Sequence, residues 1–115
     1  MTRRRFLFGL AALPLGAGVW FASRNQFVIT NHSGHAIRGL TVAVSDASFR
    51  FMNIPIGESV AASFGSPSVE SVFNIRGQFD DGSEFADSCG YVVWEDRGRQ
   101  FRLVIEPGGV VRMDG

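Results

Sequence analysis

Two histidines, His32 and His35, lie three residues apart between two segments that have the hydrophobic alternation of strands. Imidazole nitrogens bind zinc and copper, and a cysteine or acidic residue from elsewhere would complete such a site. The alternative interpretation is that both imidazoles are solvated in a polar turn. Side chains three residues apart in a tight turn need not point the same way. We expect no metal, and His32 and His35 are the candidate ligands if one is bound.

The chain has one cysteine, Cys89, so it forms no internal disulfide. A catalytic thiol needs a lowered pKa and a nearby base. The histidines that could supply the base lie far away in sequence, and a small, buried residue on a strand is the more common role of a free cysteine. We therefore predict that the chain is not an enzyme.

Four acidic residues surround one Asp-Gly turn, and they are Asp80, Asp81, Glu84 and Asp87. Carboxylates are calcium ligands, but a solvated hairpin tip explains the same cluster because Asp-Gly favours the turn geometry itself. The sequence contains no glycine-rich phosphate loop and no serine-centred nucleophile elbow. We predict no cofactor.

Aromatic and arginine side chains concentrate near the C-terminal third, at Tyr91, Trp94, Arg97 and Arg99. These residue types contribute the largest contact energies at protein interfaces. We predict an interaction patch here; the alternative is that the aromatic side chains belong to the core.

All eleven basic residues are arginines. From Asn25 onward there are seven Arg against eleven Asp and Glu, a net charge of −4. Binding to a phosphate backbone needs clustered basic residues, so we predict that the chain does not bind nucleic acid.

The N-terminus combines an arginine-rich head with seventeen uncharged, mostly apolar residues at 6–22. As a helix these residues would span about 26 Å, near the lower limit for a hydrocarbon core of roughly 30 Å. We predict an export signal or membrane-anchor helix over residues 1–24, followed by one domain over 25–115. The positive-inside rule would place that domain on the periplasmic side of the inner membrane.

The head itself reads Thr2-Arg3-Arg4-Arg5-Phe6-Leu7. It resembles the twin-arginine export motif through Arg3, Arg4, Phe6 and Leu7, although Phe8 replaces the usual lysine. The resemblance implies recognition by the twin-arginine machinery; the alternative is general secretory export. Whether the segment is cleaved, or stays in the bilayer through residues 6–22, is left open.

Beyond residue 24 the hydrophobic pattern is that of short strands separated by turns. The clearest alternation is at 71–79, where Phe73, Ile75 and Phe79 share one face and Arg76 lies on the other. We predict strands at 26–31, 36–45, 48–53, 59–65, 71–79, 84–94, 100–106 and 110–113. About eight strands at this spacing predict an all-β fold, a small antiparallel β-sandwich or a small barrel, preceded by one N-terminal hydrophobic helix.

Part of the domain is similar to a known class of β-sandwich. The residues are Gly39-Leu40-Thr41-Val42, followed by Phe49-Arg50-Phe51-Met52-Asn53-Ile54-Pro55-Ile56-Gly57-Glu58. They resemble a segment of transthyretin-like and carboxypeptidase-regulatory-like modules. The resemblance implies a sandwich with a non-catalytic, stabilising or binding role, and it transfers no functional residues.

Together these features predict a non-enzymatic, exported or membrane-anchored envelope protein that binds a protein partner through a sheet face or edge. Two alternatives stay open. One is a small periplasmic inhibitor or immunity-type protein, and the other is a metal-binding or redox accessory protein.

Overall fold

The structure is a computed structural model, and it describes residues 24–67, 69–93 and 95–114. These residues form eight β-strands and a short 3-10 helix at Pro107–Gly109. The strands are β1 Asn25–Asn31, β2 Ile37–Val44, β3 Ala47–Ile54, β4 Ser59–Phe64, β5 Ser71–Phe79, β6 Glu84–Val92, β7 Gln100–Ile105 and β8 Val111–Met113.

The strands form two four-stranded sheets that pack face to face. Sheet I has the order β4-β1-β7-β8, and sheet II has the order β3-β2-β5-β6. In sheet I, β1 and β7 run parallel, with Phe27 beside Phe101 and Ile29 beside Leu103. The other neighbouring strands are antiparallel.

The core lies between the sheets because alternate residues of each strand point inward. Its centre is aromatic: Phe27, Phe64, Phe73 and Phe101 are each at most 1% exposed. Their ring centroids lie 5.3–6.2 Å apart. Full burial of one such side chain stabilises the fold by about 1.5–3 kcal/mol. The phenylalanines of this domain therefore hold the two sheets together in the absence of a disulfide.

The prediction of an all-β fold with about eight strands is confirmed, but the prediction of an antiparallel sandwich preceded by a helix is wrong. β1 and β7 pair in parallel, so sheet I is mixed. No α-helix occurs in the described ranges, and Arg24 lies in a bend directly before β1. Alternation reports which face a residue occupies but not the direction of the neighbouring strand, and this explains the first error.

The rest of the predicted N-terminal segment, including Arg3, Arg4, Phe6 and Leu7, lies outside the described residues. Within the described ranges, no helix has the length and hydropathy needed to cross a membrane.

Candidate functional site

The outer face of sheet II carries three rows of side chains, one row for each outward position along the strands. In the order β3, β2, β5, β6 the rows are Met52, Gly39, Gln78 and Glu84; Arg50, Thr41, Arg76 and Ala86; and Ser48, Ala43, Asn74 and Ser88. We call these twelve residues the outer face of sheet II. Most of the residues that alternate with them along each strand are in the core or pack against it, so the pleat directs these twelve side chains outward.

Residue size shapes this face into a trough. The β2 positions Gly39, Thr41 and Ala43 are small, whereas the flanking positions on β3 and β5 are mostly long. An open depression of about 550 Å³ lies at one end of the face, and a second of about 600 Å³ adjoins it. The two depressions share Thr41, Arg76 and Ala86, so they follow the strand direction.

Gly39 allows Arg50 to lie low over β2. A Cβ atom at Gly39 would come within 3.2 Å of Nη2 of Arg50. The Nη1 atom of the same guanidinium donates a hydrogen bond of 3.2 Å to Oγ1 of Thr41. This contact places a positive charge at the middle of the trough.

Positive charge dominates the trough. Arg50 and Arg76 face each other across Thr41, and Arg38 follows at the β-bulge in β2. Nη2 of Arg38 donates to the Asp80 carbonyl oxygen at 2.8 Å. In the part of the chain that the structure describes, none of these three guanidinium groups pairs with a carboxylate.

Two acidic residues line the trough, Glu84 in the first depression and Asp87 in the second. Only Glu84 and Asp87 are on strands, and the other carboxylates are in turns or loops. Glu84 lies at the end of the β6 edge strand, and Oδ2 of Asp87 accepts a hydrogen bond from the Val111 backbone in sheet I. The domain has a negative net charge, yet the outer face of sheet II is locally positive.

The predicted interaction patch lies at one end of the sandwich. Tyr91 is 53% exposed near the end of β6, and its hydrogen bond with Glu70 raises the pKa of its hydroxyl. Arg97 donates to Oγ of Ser66. Trp94 lies outside the described residues.

Arg99 is exposed, but its guanidinium contacts other residues of the protein. It forms an ion pair of 3.3 Å with Asp96, and its guanidinium carbon lies 4.4 Å from the centre of the Phe101 ring. The role of Tyr91, Trp94, Arg97 and Arg99 as an interface stays a prediction.

His32 and His35 lie in an exposed turn at the other end. Nδ1 of His35 is 3.5 Å from Oδ1 of Asp80, and its ring centroid is 5.8 Å from that of Phe79. Across the described ranges, no group of three or more His, Cys, Asp or Glu side chains is arranged to hold a metal ion.

The acidic residues around the β5–β6 turn do not form one cluster in the structure. Oδ1 of Asp81 accepts hydrogen bonds from the Ser83 hydroxyl at 2.6 Å and the Ser83 backbone at 2.9 Å. These bonds lower the pKa of the Asp81 carboxyl. Asp81 thus closes the hairpin, while Asp87 faces the other sheet.

Cys89 is half-buried on β6, opposite Phe73, and it packs against the core. Burial raises the pKa of its thiol, and the charge of Asp87 adds to the effect. An activated nucleophile needs the opposite shift, since the thiolate is the reactive form.

Sequence reasoning placed Arg76 on the polar side of its strand but did not identify the trough. The signal was present as outward arginines on two predicted strands and small outward residues on a third. Only the order β3-β2-β5 brings Arg50 and Arg76 to either side of Thr41.

The fold and this face define a small two-sheet β protein with an open, locally basic surface. No family model and no curated protein matches the chain. Among solved structures, the chain is similar to one described as the NMR structure of the protein from Eubacterium rectale, with a TM-score of 0.57 and 14% sequence identity. The alignment covers 80% of this chain and 87% of that chain. A similarity at this level of identity concerns the fold alone.

Proposed function

We propose that this chain is a non-enzymatic protein-binding module of the cell envelope, and that the outer face of sheet II is its contact surface. The observation that carries the proposal is the pair Arg50 and Arg76. Both lie on an open face, beside small residues, without a carboxylate partner in the described part of the chain. Arginine is enriched at the energetically dominant positions of protein interfaces.

The rigidity of the supporting sheet favours binding. The residues that flank the face along β2 and β5 are mostly buried, such as Phe73 and Ile75 around Asn74, and Phe49 and Phe51 around Arg50 are partly buried against the core. Side chains on paired strands lose less freedom on binding than side chains on loops, and this lowers the entropic cost of association.

The proposed location in the cell envelope rests on the N-terminal sequence. The resemblance of Arg3, Arg4, Phe6 and Leu7 to the twin-arginine motif supports export to the periplasmic side of the inner membrane. The protein is then retained at the membrane or released after cleavage. Fractionation of cells followed by the mass of the recovered protein tests this part, and recovery of the uncleaved chain from the cytosol would reject it.

Site-specific photo-crosslinking tests the contact surface. A photoreactive amino acid would replace Ser48 or Asn74 on the face, and Gln100 on the outer side of sheet I as the matched control. All three residues are exposed. We expect one crosslinked envelope protein from positions 48 and 74 and none from position 100. Crosslinks from position 100 alone would place the interface on the other sheet.

A further inference from the structure

We infer that the trough on sheet II binds an extended, acidic segment of the protein partner, with carboxylates held by Arg50 and Arg76. The inference rests on the proposed function and names the chemistry of the partner. It depends on where the two guanidinium groups lie and on what surrounds them.

The geometry matches an extended chain. Arg50, Thr41 and Arg76 are neighbours across three adjacent strands, so the two arginine backbones lie about 10 Å apart, twice the interstrand spacing. A segment lying along β2 projects successive side chains to opposite sides. One acidic residue then reaches Arg50 and the next reaches Arg76.

The length of the trough sets the length of the segment. The small residues Gly39, Thr41 and Ala43 occupy three consecutive outward positions on β2, and these positions span about 13 Å of strand. An extended segment of four or five residues covers this distance. Arg38 lies beyond Gly39 and offers a third cation at that end of the trough.

The chemistry matches carboxylates. A guanidinium donates two parallel hydrogen bonds to a carboxylate, which is stronger and more directional than a contact with a neutral group. Arg50 donates to Thr41 through Nη1, and Arg76 makes no side-chain hydrogen bond in the described residues. Both guanidinium groups can therefore donate hydrogen bonds to a ligand without breaking an internal ion pair.

The surroundings disfavour long polyanions and bilayers. Acidic turns lie at both ends of the strands, with Asp46 at one end and Asp80 and Asp81 at the other. A nucleic acid or polysaccharide longer than the trough would meet these charges. The three rows contain no aromatic side chain on which bases could stack or that could insert into lipid. A short acidic peptide segment avoids both problems.

Peptide binding by the full chain tests the inference. The probe is a fluorescein-labelled pentaglutamate, which matches the length of the trough, and the measurement is fluorescence anisotropy at low and at physiological salt. A pentaserine peptide and a sulfated polysaccharide of equal charge are the comparison ligands. The variant is Arg50→Gln with Arg76→Gln. The single variants Arg50→Gln and Arg76→Gln are also measured, and Arg102→Gln is their matched control because it likewise removes one exposed arginine, but from the outer side of sheet I.

We expect the double variant to weaken pentaglutamate binding about tenfold or more, each single variant to weaken it about threefold or more, and the control to change it by less than about twofold. We also expect affinity to fall as salt rises. Thermal unfolding of both variants should match the wild type, because these arginines are exposed and outside the core. If the double variant does not fold, Arg50→Lys with Arg76→Lys takes its place. This variant keeps the charge but loses the paired donors, so it should bind the peptide several-fold more weakly than the wild type does.

Three outcomes overturn the inference: equal binding by the double variant, no binding of pentaglutamate, or tighter binding of the polysaccharide at the same face. If crosslinks from positions 48 and 74 persist in any of these cases, the protein-binding function stands and only the acidic partner is wrong. If those crosslinks are also absent, the proposed function itself fails.

Discussion

Asn31 is the polar residue on which the turn end of the sandwich depends. It is 1% exposed at the end of β1. Its Nδ2 atom donates to the carbonyl oxygens of His35 at 2.8 Å, Ile54 at 3.1 Å and Pro55 at 3.3 Å. Its Oδ1 atom accepts from the backbone and the hydroxyl of Ser33. One side chain therefore joins three segments.

Replacing Asn31 by Ala should lower the free energy of unfolding by about 2–4 kcal/mol, because several buried polar groups lose their partners at once. Urea denaturation followed by circular dichroism measures the loss. Asn74→Ala, an exposed asparagine on β5, is the matched control and should cost less than about 1 kcal/mol. Equal losses at both positions would show that Asn31 has no special role.

Cys89 allows a second test at the scale of a single residue. Because burial raises the pKa of its thiol, less thiolate is present at any given pH than in the unfolded chain. We expect iodoacetamide to modify native Cys89 slowly at neutral pH and the rate to rise only at more alkaline pH. Mass spectrometry with and without urea measures this difference. Faster modification of the native protein than of the unfolded chain would contradict the raised pKa of Cys89 and indicate an activated thiol.

At the scale of the strand, one cross-strand pair explains a glycine in the middle of β5. Gly77 lies opposite Phe85 of β6. A Cβ atom at Gly77 would come within 2.5 Å of the Phe85 ring and 2.9 Å of the Gly39 carbonyl oxygen. The ring of Phe85 thus occupies the space above Gly77, and Phe85 is only 8% exposed.

Gly77→Ala should therefore destabilise the protein by about 1–3 kcal/mol, since the ring must move within a packed core. Gly65→Ala is the control: its nearest neighbour is Nη1 of Arg24 at an ordinary 3.7 Å, so stability should change by less than about 1 kcal/mol. Combining Gly77→Ala with Phe85→Leu should cost less than the sum of the two single changes. Strict additivity in thermal unfolding would argue against this contact.

At the scale of the whole molecule, the two sheets are joined by more than their shared core. Asp87 on β6 of sheet II accepts a hydrogen bond of 2.8 Å from the backbone nitrogen of Val111 on β8 of sheet I. This bond closes one side of the sandwich and gives the nitrogen a partner where the outer edge of sheet I ends.

Asp87→Ala should cost about 1–2 kcal/mol of stability, and Asp87→Asn should cost less because the amide keeps an oxygen acceptor. Hydrogen exchange at the Val111 amide should speed up in the alanine variant before exchange in the core strands changes. Unchanged protection at Val111 would mean that the bond is not maintained in solution.

The sequence alone determined where the strands lie and which side of each strand is buried. The predicted 71–79 strand agrees with β5, and the other strand boundaries fall within a few residues of the observed ones. The signals are local: alternation with a period of two, clusters of Phe, and turn residues such as Gly, Pro and Asp. Each arises from steric and solvation effects among residues that are close in the sequence.

Tertiary structure alone decided which strands are neighbours. The parallel pairing of β1 with β7 and the order β3-β2-β5 join residues distant in the chain, and alternation is unchanged by either choice. The basic trough exists only because that order places Arg50 and Arg76 beside the small residues of β2. Strand pairing is set by how the whole core packs, and no single segment of the sequence carries that information.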